Sequence, residues 1–566
     1  MNEEPRERRA PRSASGRGRG WRTALAALGA ALALGVTAAP AGAPGAGSAA
    51  GGEAAVIPAA PLPAAGAQGA GDVATLGPAA PAAQVPAATR ALAPPALPLT
   101  PGPVPEGTAR AVASAVDRAI RGRTRSAPVL GVHVVDLSTG EEMVDRRADE
   151  LHIVASNTKL ITTAAALDAL GPGHLFETRL LMRGAVAGGV LDGDLAVIGG
   201  GDPNISGRQH DGDAYAVFRK WAAELRARGV TRVRGDLYLD HGLFAGPLTH
   251  PDWPERGRDK WYQAPVAALS FSDNCVMVRI KPASRVGAPA RVELVPPLPR
   301  FGPTNRASTT ASAQRHRAGV RRAEGSDELT VFGAVYRRAD PLETWISVAD
   351  PVQYFGAALV DALAAEGVAV EGDLVPVERL PGLIWEGVAV HRSDLLTAVQ
   401  VTNKRSQNFY AESLIKLLGA ESCGRGSWQA GLRAAADFLA EAGLEPGGWS
   451  MADGSGLSRD NRFSPRQLTT LLRHMVHHRW GSEFIRSLPY SGEEELSWRD
   501  RLADPPYRGN VFAKTGTLLG VSTLSGYAKG RSGRLYAFSI LCNRVPSAWE
   551  ARRLQDRIVA AVIDTG

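Results

Sequence analysis

Three short motifs built from serine and lysine constrain this chain of 566 residues more than any other feature. S-x-x-K runs from Ser156 to Lys159, S-x-N runs from Ser406 to Asn408, and K-T-G-T begins at Lys514. The surrounding sequence places the first motif at the start of a helix, the second in a loop between helices and the third on a strand. Lysine is scarce in this chain, so three such motifs in this order are improbable by chance.

The first motif predicts a serine nucleophile. A serine hydroxyl reacts poorly until a base removes its proton, and a lysine whose pKa is lowered can serve as that base. Residues three apart on a helix share a face, so Lys159 can direct its amine toward Ser156. The motif is weak on its own, because Ser413 and Lys416 repeat it in another helical segment. An isolated copy of this motif is more often an ordinary solvent-facing helix surface.

The second motif combines a hydroxyl with an amide. Ser406 and Asn408 lie in a predicted loop, where they suit proton relay and the binding of a substrate carbonyl. A competing triplet, Ser272-Asp273-Asn274, precedes a run that alternates like a strand. We favour Ser406 over Ser272, although either triplet could be ordinary turn or capping chemistry.

The third motif suits the binding of an anion beside a strand. Lys514 can hold a carboxylate, and Gly516 has no side chain, so a substrate can approach the backbone closely. The N–H groups of Thr517 and Ser156 could together form an oxyanion hole for a developing negative charge. The three motifs together therefore predict acyl transfer through a serine.

The hydrophobic pattern predicts an α+β fold. Successive C-terminal strands with tight turns indicate an antiparallel sheet with a helix packed on it, and an N-terminal hairpin is expected to share that sheet. We expect a catalytic domain made of residues 106–178 and 386–566. Residues 179–385, which are rich in short strands and turn residues, are expected to form a large, mainly β insertion.

The first hundred residues predict an exported protein with a tether. Residues 1–22 hold seven arginines and three glutamates, and the apolar run TALAALGAALALGV follows, so residues 1–44 are predicted to be a signal peptide. An uncleaved membrane anchor is the alternative. Residues 45–105 are rich in Ala and Pro and predict a disordered linker. We expect a location in the periplasm or cell envelope, with peripheral association with membrane or wall possible.

Charge and histidine patterns exclude two other classes of protein. More than half of the net charge of +7 lies within residues 1–22, and no basic stripe occurs elsewhere, so a nucleic-acid partner is not expected. The eleven histidines form no H-E-x-x-H pair, so a zinc peptidase is not expected.

Six segments make the chain similar to a known family. The combination of S-x-x-K, S-D-N and K-T-G is a signature of penicillin-binding proteins and class A β-lactamases. The chain resembles the D-alanyl-D-alanine carboxypeptidase/endopeptidase family, the class C low-molecular-mass penicillin-binding proteins. The matching segments are VASNTKL, GGGDP, SFSDNCVMV, NKRSQNFYAE, MADGSGLSRDNRFSP and FAKTGTLLGVSTLSGYAKG. That family also has a long insertion between its first two motifs, which agrees with Ser406 rather than Ser272 as the second.

This resemblance implies a penicillin-recognising serine-transferase fold that acts on peptidoglycan stem peptides and is acylated by β-lactams. It implies that Ser156 is acylated, that Lys159 is the general base and that Ser406 passes a proton to the leaving amine. It also implies that Asn408 holds the acyl amide and that Lys514 and Thr515 hold the terminal carboxylate. No metal or organic cofactor is implied.

Two features leave alternatives open. The family usually carries a Gly-Thr-Leu step before the third motif, where this chain reads SGEEELSWRDRL. This change leaves the three motifs intact, and we expect it to alter the rim of the cleft and the substrate preference. The alternative functions are a β-lactamase or esterase on the same fold, and a non-catalytic cell-wall scaffold or β-lactam sensor. The sequence does not decide between carboxypeptidase and endopeptidase action, the stem-peptide diamino acid or the oligomeric state.

Overall fold

The structure is a computed structural model that describes residue 99 and residues 102–121, 129–297, 302–382, 384–494, 496 and 498–566. The predicted signal peptide, 1–44, and nearly all of the predicted linker, 45–105, lie outside the described residues. The described residues belong to one compact unit, Pro94–Gly566.

Strands occupy much of the described chain. In chain order they are β1 (Val129–Asp136), β2 (Glu142–Arg146), β3 (His152–Ile153), β4 (Leu175–Ala187), β5 (Val190–Ile198), β6 (Arg232–Val233), β7 (Leu237–Asp240), β8 (Cys275–Lys281), β9 (Arg291–Val295), β10 (Thr304–Thr310), β11 (Arg317–Arg322), β12 (Leu329–Tyr336), β13 (Leu342–Ser347), β14 (Ala369–Val370), β15 (Leu374–Val377), β16 (Glu386–Asp394), β17 (Arg462–Phe463), β18 (Val511–Leu518), β19 (Val521–Lys529) and β20 (Leu535–Asn543).

The α-helices lie mainly in the C-terminal half. They are α1 (Thr108–Arg121), α2 (Thr158–Leu170), α3 (Ala216–Ala227), α4 (Pro351–Ala365), α5 (Leu395–Lys404), α6 (Asn408–Cys423), α7 (Trp428–Glu441), α8 (Pro465–His477), α9 (Gly481–Ser487) and α10 (Ala548–Thr565). In the described part of the chain, no helix is both long enough and apolar enough to cross a membrane.

A five-stranded antiparallel sheet joins the two ends of the described chain. Its order is β18-β19-β20-β1-β2, and β1 pairs with β20 over its whole length. The N-terminal hairpin and the C-terminal strands therefore share one sheet, as the sequence pattern predicted. Helices α1 and α10 cover one face through buried residues such as Val116 and Ile558, while α8 packs against the other through Leu472. Burial of such a side chain stabilises the fold by about 1.5–3 kcal/mol.

A second, helical layer packs beside this sheet. Helices α2, α5, α6, α7 and α9 share one hydrophobic core with α8, and almost all the apolar side chains of α2 are buried. Asp394 accepts hydrogen bonds at the N-terminus of α5, and Gly424, at φ +75°, ends α6 in the left-handed conformation. These two residues define the outer ends of the helix pair. Ser406 lies in the short loop between α5 and α6, whereas Asn408, which the sequence pattern placed in the loop, is the first residue of α6.

The middle of the chain folds around a seven-stranded sheet and two three-stranded sheets. The larger sheet has the order β14-β6-β5-β4-β16 with β7 and β15 attached, and α3 and α4 pack on it through Trp221 and Phe355. The smaller sheets have the orders β13-β8-β9 and β10-β12-β11. Strands β4 and β16 pair with each other and extend beyond residues 179–385 on both sides. The division of the chain at these residues stays a prediction.

Candidate active site

Ser156 lies in a single 3-10 turn, Ala155–Asn157, immediately before α2. The pattern predicted that Ser156 opens the helix, whereas the helix begins two residues later at Thr158. Ala155 has a left-handed backbone, at φ +47°, which costs of order 1–3 kcal/mol for a residue with a side chain. The Asn157 amide holds this turn against the third motif by donating to the Lys514 carbonyl at 2.7 Å. The Ser156 side chain is half-buried, so its hydroxyl can be reached.

Lys159 is fully buried one helical turn beyond Ser156. Its Nζ lies 3.1 Å from Ser156 Oγ, 2.7 Å from Asn408 Oδ1 and 2.6 Å from the carbonyl oxygen of Ser455. Burial lowers the pKa of Lys159 to about 7, because a buried ammonium loses its hydration. A substantial fraction of this amine is therefore neutral near neutral pH, as a general base requires.

Two buried carboxylates, Glu412 and Asp453, act electrostatically on Lys159. Glu412 accepts hydrogen bonds from the backbone N–H groups of Gly454 and Ser455 at 3.0 and 2.8 Å. It thereby fixes the segment whose Ser455 carbonyl accepts from Lys159. Asp453 and Glu412 both raise the pKa of Lys159 and partly offset its burial. Burial and the nearby Asp453 in turn raise the pKa of Glu412 to about 7.

Replacement of Glu412 tests this arrangement. Glu412→Gln is expected to shift the rise of penicillin acylation with pH to lower pH, because one charge that keeps Lys159 protonated is removed. The amide leaves one backbone N–H without its acceptor, so we expect a loss of about 1–3 kcal/mol in the free energy of unfolding. The measurement is the second-order acylation rate across the neutral pH range. Glu421→Gln, an exposed carboxylate on the same helix, is the matched control. An unchanged midpoint, or a midpoint moved to higher pH, would contradict the account.

The second and third motifs meet on the other side of the nucleophile. Lys514, on β18, donates to Ser406 Oγ at 2.8 Å and to the carbonyl oxygen of Thr515 at 2.9 Å. Ser406 is held at φ +55°, a left-handed backbone for a residue with a side chain. Burial, and then the nearby Lys159, hold the pKa of Lys514 well below its usual range. An incoming carboxylate would supply the opposite charge that this buried amine lacks.

The backbone at the third motif lies against the nucleophile turn. A Cβ atom on Gly516 would lie 2.9 Å from the Ser156 nitrogen, so a larger residue would disturb the turn. Thr517, the next residue, is exposed, and β18 is the edge strand of its sheet. An edge strand can pair with an extended peptide and offer it backbone hydrogen bonds. The structure therefore brings together the Ser156, Thr515, Gly516 and Thr517 segments that the sequence proposed for substrate binding.

The competing S-x-x-K copy lies away from this cluster. Ser413 Oγ donates to the carbonyl oxygen of Phe409 at 2.9 Å within α6. Lys416 donates to the carbonyl oxygens of Ala245 and Pro247, and its Nζ lies 4.0 Å from the centre of the Trp428 ring. These contacts are structural ones and connect α6 with the middle of the chain.

The competing triplet contacts the second motif through a hydrogen bond between Asp273 and Gln407. Ser272, Asp273 and Asn274 all have left-handed backbones, and the buried Asp273 forms an ion pair with Arg208, which is exposed. Asp273 also accepts from Gln407 Nε2 at 3.0 Å, and Gln407 stands between Ser406 and Asn408. The two triplets that competed in the sequence are therefore in contact, and only Ser406 touches Lys514.

Sequence reasoning missed the groups that position Lys159. Glu412 ends the NFYAE segment, and the pattern of Asp453–Gly456 is equally typical of a tight loop and of a cleft wall. Asp453 accepts from Trp253 Nε1, from the N–H groups of Gly456 and Ser458, and from the Asn461 amide. The available signal was the presence of acidic residues inside strongly apolar or glycine-rich runs, where a charge needs a partner.

Comparison with known proteins agrees with this geometry. Residues 112–563 match the model of the D-Ala-D-Ala carboxypeptidase 3 (S13) family. A D-alanyl-D-alanine carboxypeptidase from Actinomadura sp. (strain R39) is 35% identical over 433 residues, which cover 73% of this chain and 78% of that protein. The D-alanyl-D-alanine carboxypeptidase DacB of Haemophilus influenzae is 27% identical and covers 72% of this chain and 84% of its own length.

The fold is that of a solved relative. The crystal structure of penicillin binding protein 4 from Haemophilus influenzae superposes with a TM-score of 0.66 at 24% identity, covering 78% of this chain and 98% of that one. The chain therefore belongs to the D-Ala-D-Ala carboxypeptidase 3 (S13) family, which confirms the family, the fold and the enzyme class predicted from its sequence.

Proposed function

We propose that this chain is a serine D-Ala-D-Ala carboxypeptidase that cleaves peptidoglycan stem peptides through an acyl-enzyme on Ser156 and binds penicillin at the same site. The observation that carries the proposal is the position of Ser156 Oγ, 3.1 Å from the buried amine of Lys159. On the other side of the site, Lys514 and Ser406 form a second amine–hydroxyl pair at 2.8 Å. The related carboxypeptidases support this assignment.

The first step is acylation. Neutral Lys159 accepts the Ser156 hydroxyl proton as the oxygen attacks the carbonyl carbon between the two D-alanines. The Ser156 and Thr517 N–H groups stabilise the negative charge that forms on the carbonyl oxygen. The new bond joins Ser156 Oγ to the acyl carbon, and the bond that breaks is the one to the terminal D-alanine nitrogen. The proton that Lys159 took from Ser156 is returned through the Ser406 hydroxyl to that nitrogen, and D-alanine leaves.

Recognition of the terminal carboxylate uses the buried lysine of the third motif. Lys514 and the Thr515 hydroxyl bind this carboxylate, and Asn408 binds the amide of the acyl part. Asn408 is held for this role because its amide donates to the Tyr262 carbonyl oxygen at 2.9 Å while its own oxygen accepts from Lys159. Water then hydrolyses the ester, and Ser156 is regenerated. Penicillin acylates the same serine.

The location and the division of the chain are part of this proposal. An exported enzyme in the periplasm or cell envelope would meet peptidoglycan directly, and residues 1–44 and 45–105 would serve as its signal peptide and tether. Residues 106–178 and 386–566 would form the catalytic domain, and 179–385 the insertion. Endopeptidase action on cross-linked peptides would need only that the leaving amine carry a larger group.

Release of D-alanine tests the function. The purified full chain should release one D-alanine from each molecule of a soluble peptide that ends in D-Ala-D-Ala, and prior incubation with penicillin should abolish that release. If no D-alanine is released while penicillin is rapidly consumed, the chain is a β-lactamase. If the chain neither releases D-alanine nor reacts with penicillin, it is not an enzyme of this class.

A further inference from the structure

A small sheet in the middle of the chain exposes an unusual face. Strand β12 lies between β10 and β11, and its Phe332 pairs with Arg306 on β10 and with Gly319 on β11. Two residues along the strand to either side of Gly319, Arg317 lies opposite Ala334 and Arg321 lies opposite Thr330. Paired residues share a face of a sheet. We call the face formed by Arg306, Arg317, Arg321 and Phe332 the arginine face.

The opposite face of the same sheet is buried, so the orientation of these strands is fixed. Ala307, Val320, Val331 and Val335 point into a hydrophobic core that they share with β8 and β13. Because side chains alternate along a strand, the arginine face must point away from that core. All three arginines are exposed.

Phe332 gives this face an aromatic centre. Its side chain is 40% exposed, although burying it would stabilise the fold. A Cβ atom on Gly319 would lie only 3.0 Å from the ring, so the ring rests against the β11 backbone. The Arg321 guanidinium lies 5.4 Å from the ring centre. Such a flat ring beside arginines suits a partner that has both sugar-like C–H faces and anionic groups.

The charge of this face is uncompensated. Within the part of the chain that the structure describes, none of Arg306, Arg317 and Arg321 forms an ion pair. On the neighbouring sheet, by contrast, Arg279 is paired with both Glu293 and Glu343. None of the residues that pair across β10, β12 and β11 on this face carries a carboxylate. Glu324 and Glu328 lie in the turn that connects β11 with β12, outside the paired residues.

We propose that the arginine face binds intact peptidoglycan at a second, non-catalytic contact. The inference rests on the proposed function, since stem peptides carry free carboxylates along a polymer of sugars, and three unpaired guanidinium groups around an exposed ring complement both features. The strand spacing and rise put Arg306 and Arg321 about 12 Å apart diagonally across the sheet, and Arg317 and Arg321 about 14 Å apart along β11. The face therefore spans several groups of one polymer.

The functional consequence is retention on the polymer. A second contact on the molecule that carries the scissile peptides raises their effective concentration at the active site. Small soluble peptides cannot bridge both sites, so they would gain nothing from the arginine face.

The experiment measures binding with the active site already blocked. The full chain, acylated with penicillin, is pelleted with purified peptidoglycan from which phosphate-bearing polymers have been removed. The test variant is the triple substitution Arg306→Gln, Arg317→Gln and Arg321→Gln, with Phe332→Thr as a second variant. The matched control replaces three exposed arginines of α1 in the same way: Arg110→Gln, Arg118→Gln and Arg121→Gln.

We expect the test triple to lower the affinity for peptidoglycan about tenfold, because exposed charge contacts are individually weak and three of them are lost. Phe332→Thr should also weaken binding, while the control triple should bind like the original chain. Equal losses in the test and control triples, or no loss in the test triple, would overturn the proposal. Binding only to peptidoglycan that retains its phosphate polymers would also overturn it.

Release of D-alanine from a soluble peptide separates this proposal from the proposed function. The test triple should release D-alanine at the original rate, since none of its residues touches the active site. If the unaltered chain releases no D-alanine, the proposed function fails whatever the pelleting result.

Discussion

Replacement of Ser156 with alanine should abolish covalent labelling of the chain by fluorescent penicillin and release of D-alanine. The expected effect is complete, because among the described residues Ser156 carries the only hydroxyl that contacts the buried amine of Lys159. Loss of one half-buried hydroxyl should leave the unfolding temperature nearly unchanged. The measurement is fluorescence of the labelled chain on a denaturing gel, with the unfolding temperature recorded in parallel.

The second S-x-x-K copy provides a matched control. Ser413→Ala removes a serine of the same spacing whose hydroxyl donates to the carbonyl of Phe409, and labelling should persist. Labelling that survives Ser156→Ala, or that disappears only with Ser413→Ala, would show that the nucleophile has been assigned to the wrong motif.

Lys159 should have the second-largest effect. Lys159→Ala is expected to slow acylation by about 10²–10⁴-fold, the usual contribution of a general base. Lys159→Arg should be similarly slow, because arginine keeps the positive charge but cannot give up its proton at ordinary pH. In the unaltered chain, acylation should rise with pH through about 7, where the Lys159 amine becomes neutral. Stopped-flow measurement of penicillin acylation gives both results.

Two outcomes would contradict this role for Lys159. If Lys159→Arg acylates like the original chain, the positive charge matters rather than the basic amine. If Lys416→Met, a buried lysine of the same helical spacing, slows acylation as much as Lys159→Ala does, the effect comes from disturbed packing. Both variants are compared only after their unfolding temperatures show that they are folded.

Much of the fold was predictable because its signals are local. The alternation in NVFAKTG and in VSTLSGYAKG indicated strands, and the tight turns between them indicated an antiparallel sheet, as β18, β19 and β20 form. The order of the three motifs pointed to Ser156, Lys159, Ser406, Asn408 and Lys514, and the structure places these residues in one cluster. The roles of these residues stay predictions.

The supporting contacts were not predictable, because they join residues that are far apart in the sequence. Nothing near Glu412 indicates that its carboxylate holds the N–H of Ser455, which in turn presents a carbonyl to Lys159. The contact between Asp273 and Gln407 joins two triplets that local reasoning could only treat as rivals. The left-handed backbone at Ala155, which lets Ser156 precede the helix rather than open it, depends on tertiary packing that propensity does not contain.

Peptide mapping of the penicillin adduct tests the central claim most directly. The full chain is incubated with penicillin, digested with trypsin and examined by mass spectrometry. Cleavage after Arg147 and Lys159 yields one peptide, residues 148–159, that contains Ser156 as its only serine. The account predicts one penicillin mass on that peptide, with fragment ions that place it on Ser156. A penicillin mass on any other peptide, or no adduct on folded chain that leaves the penicillin intact, would contradict it.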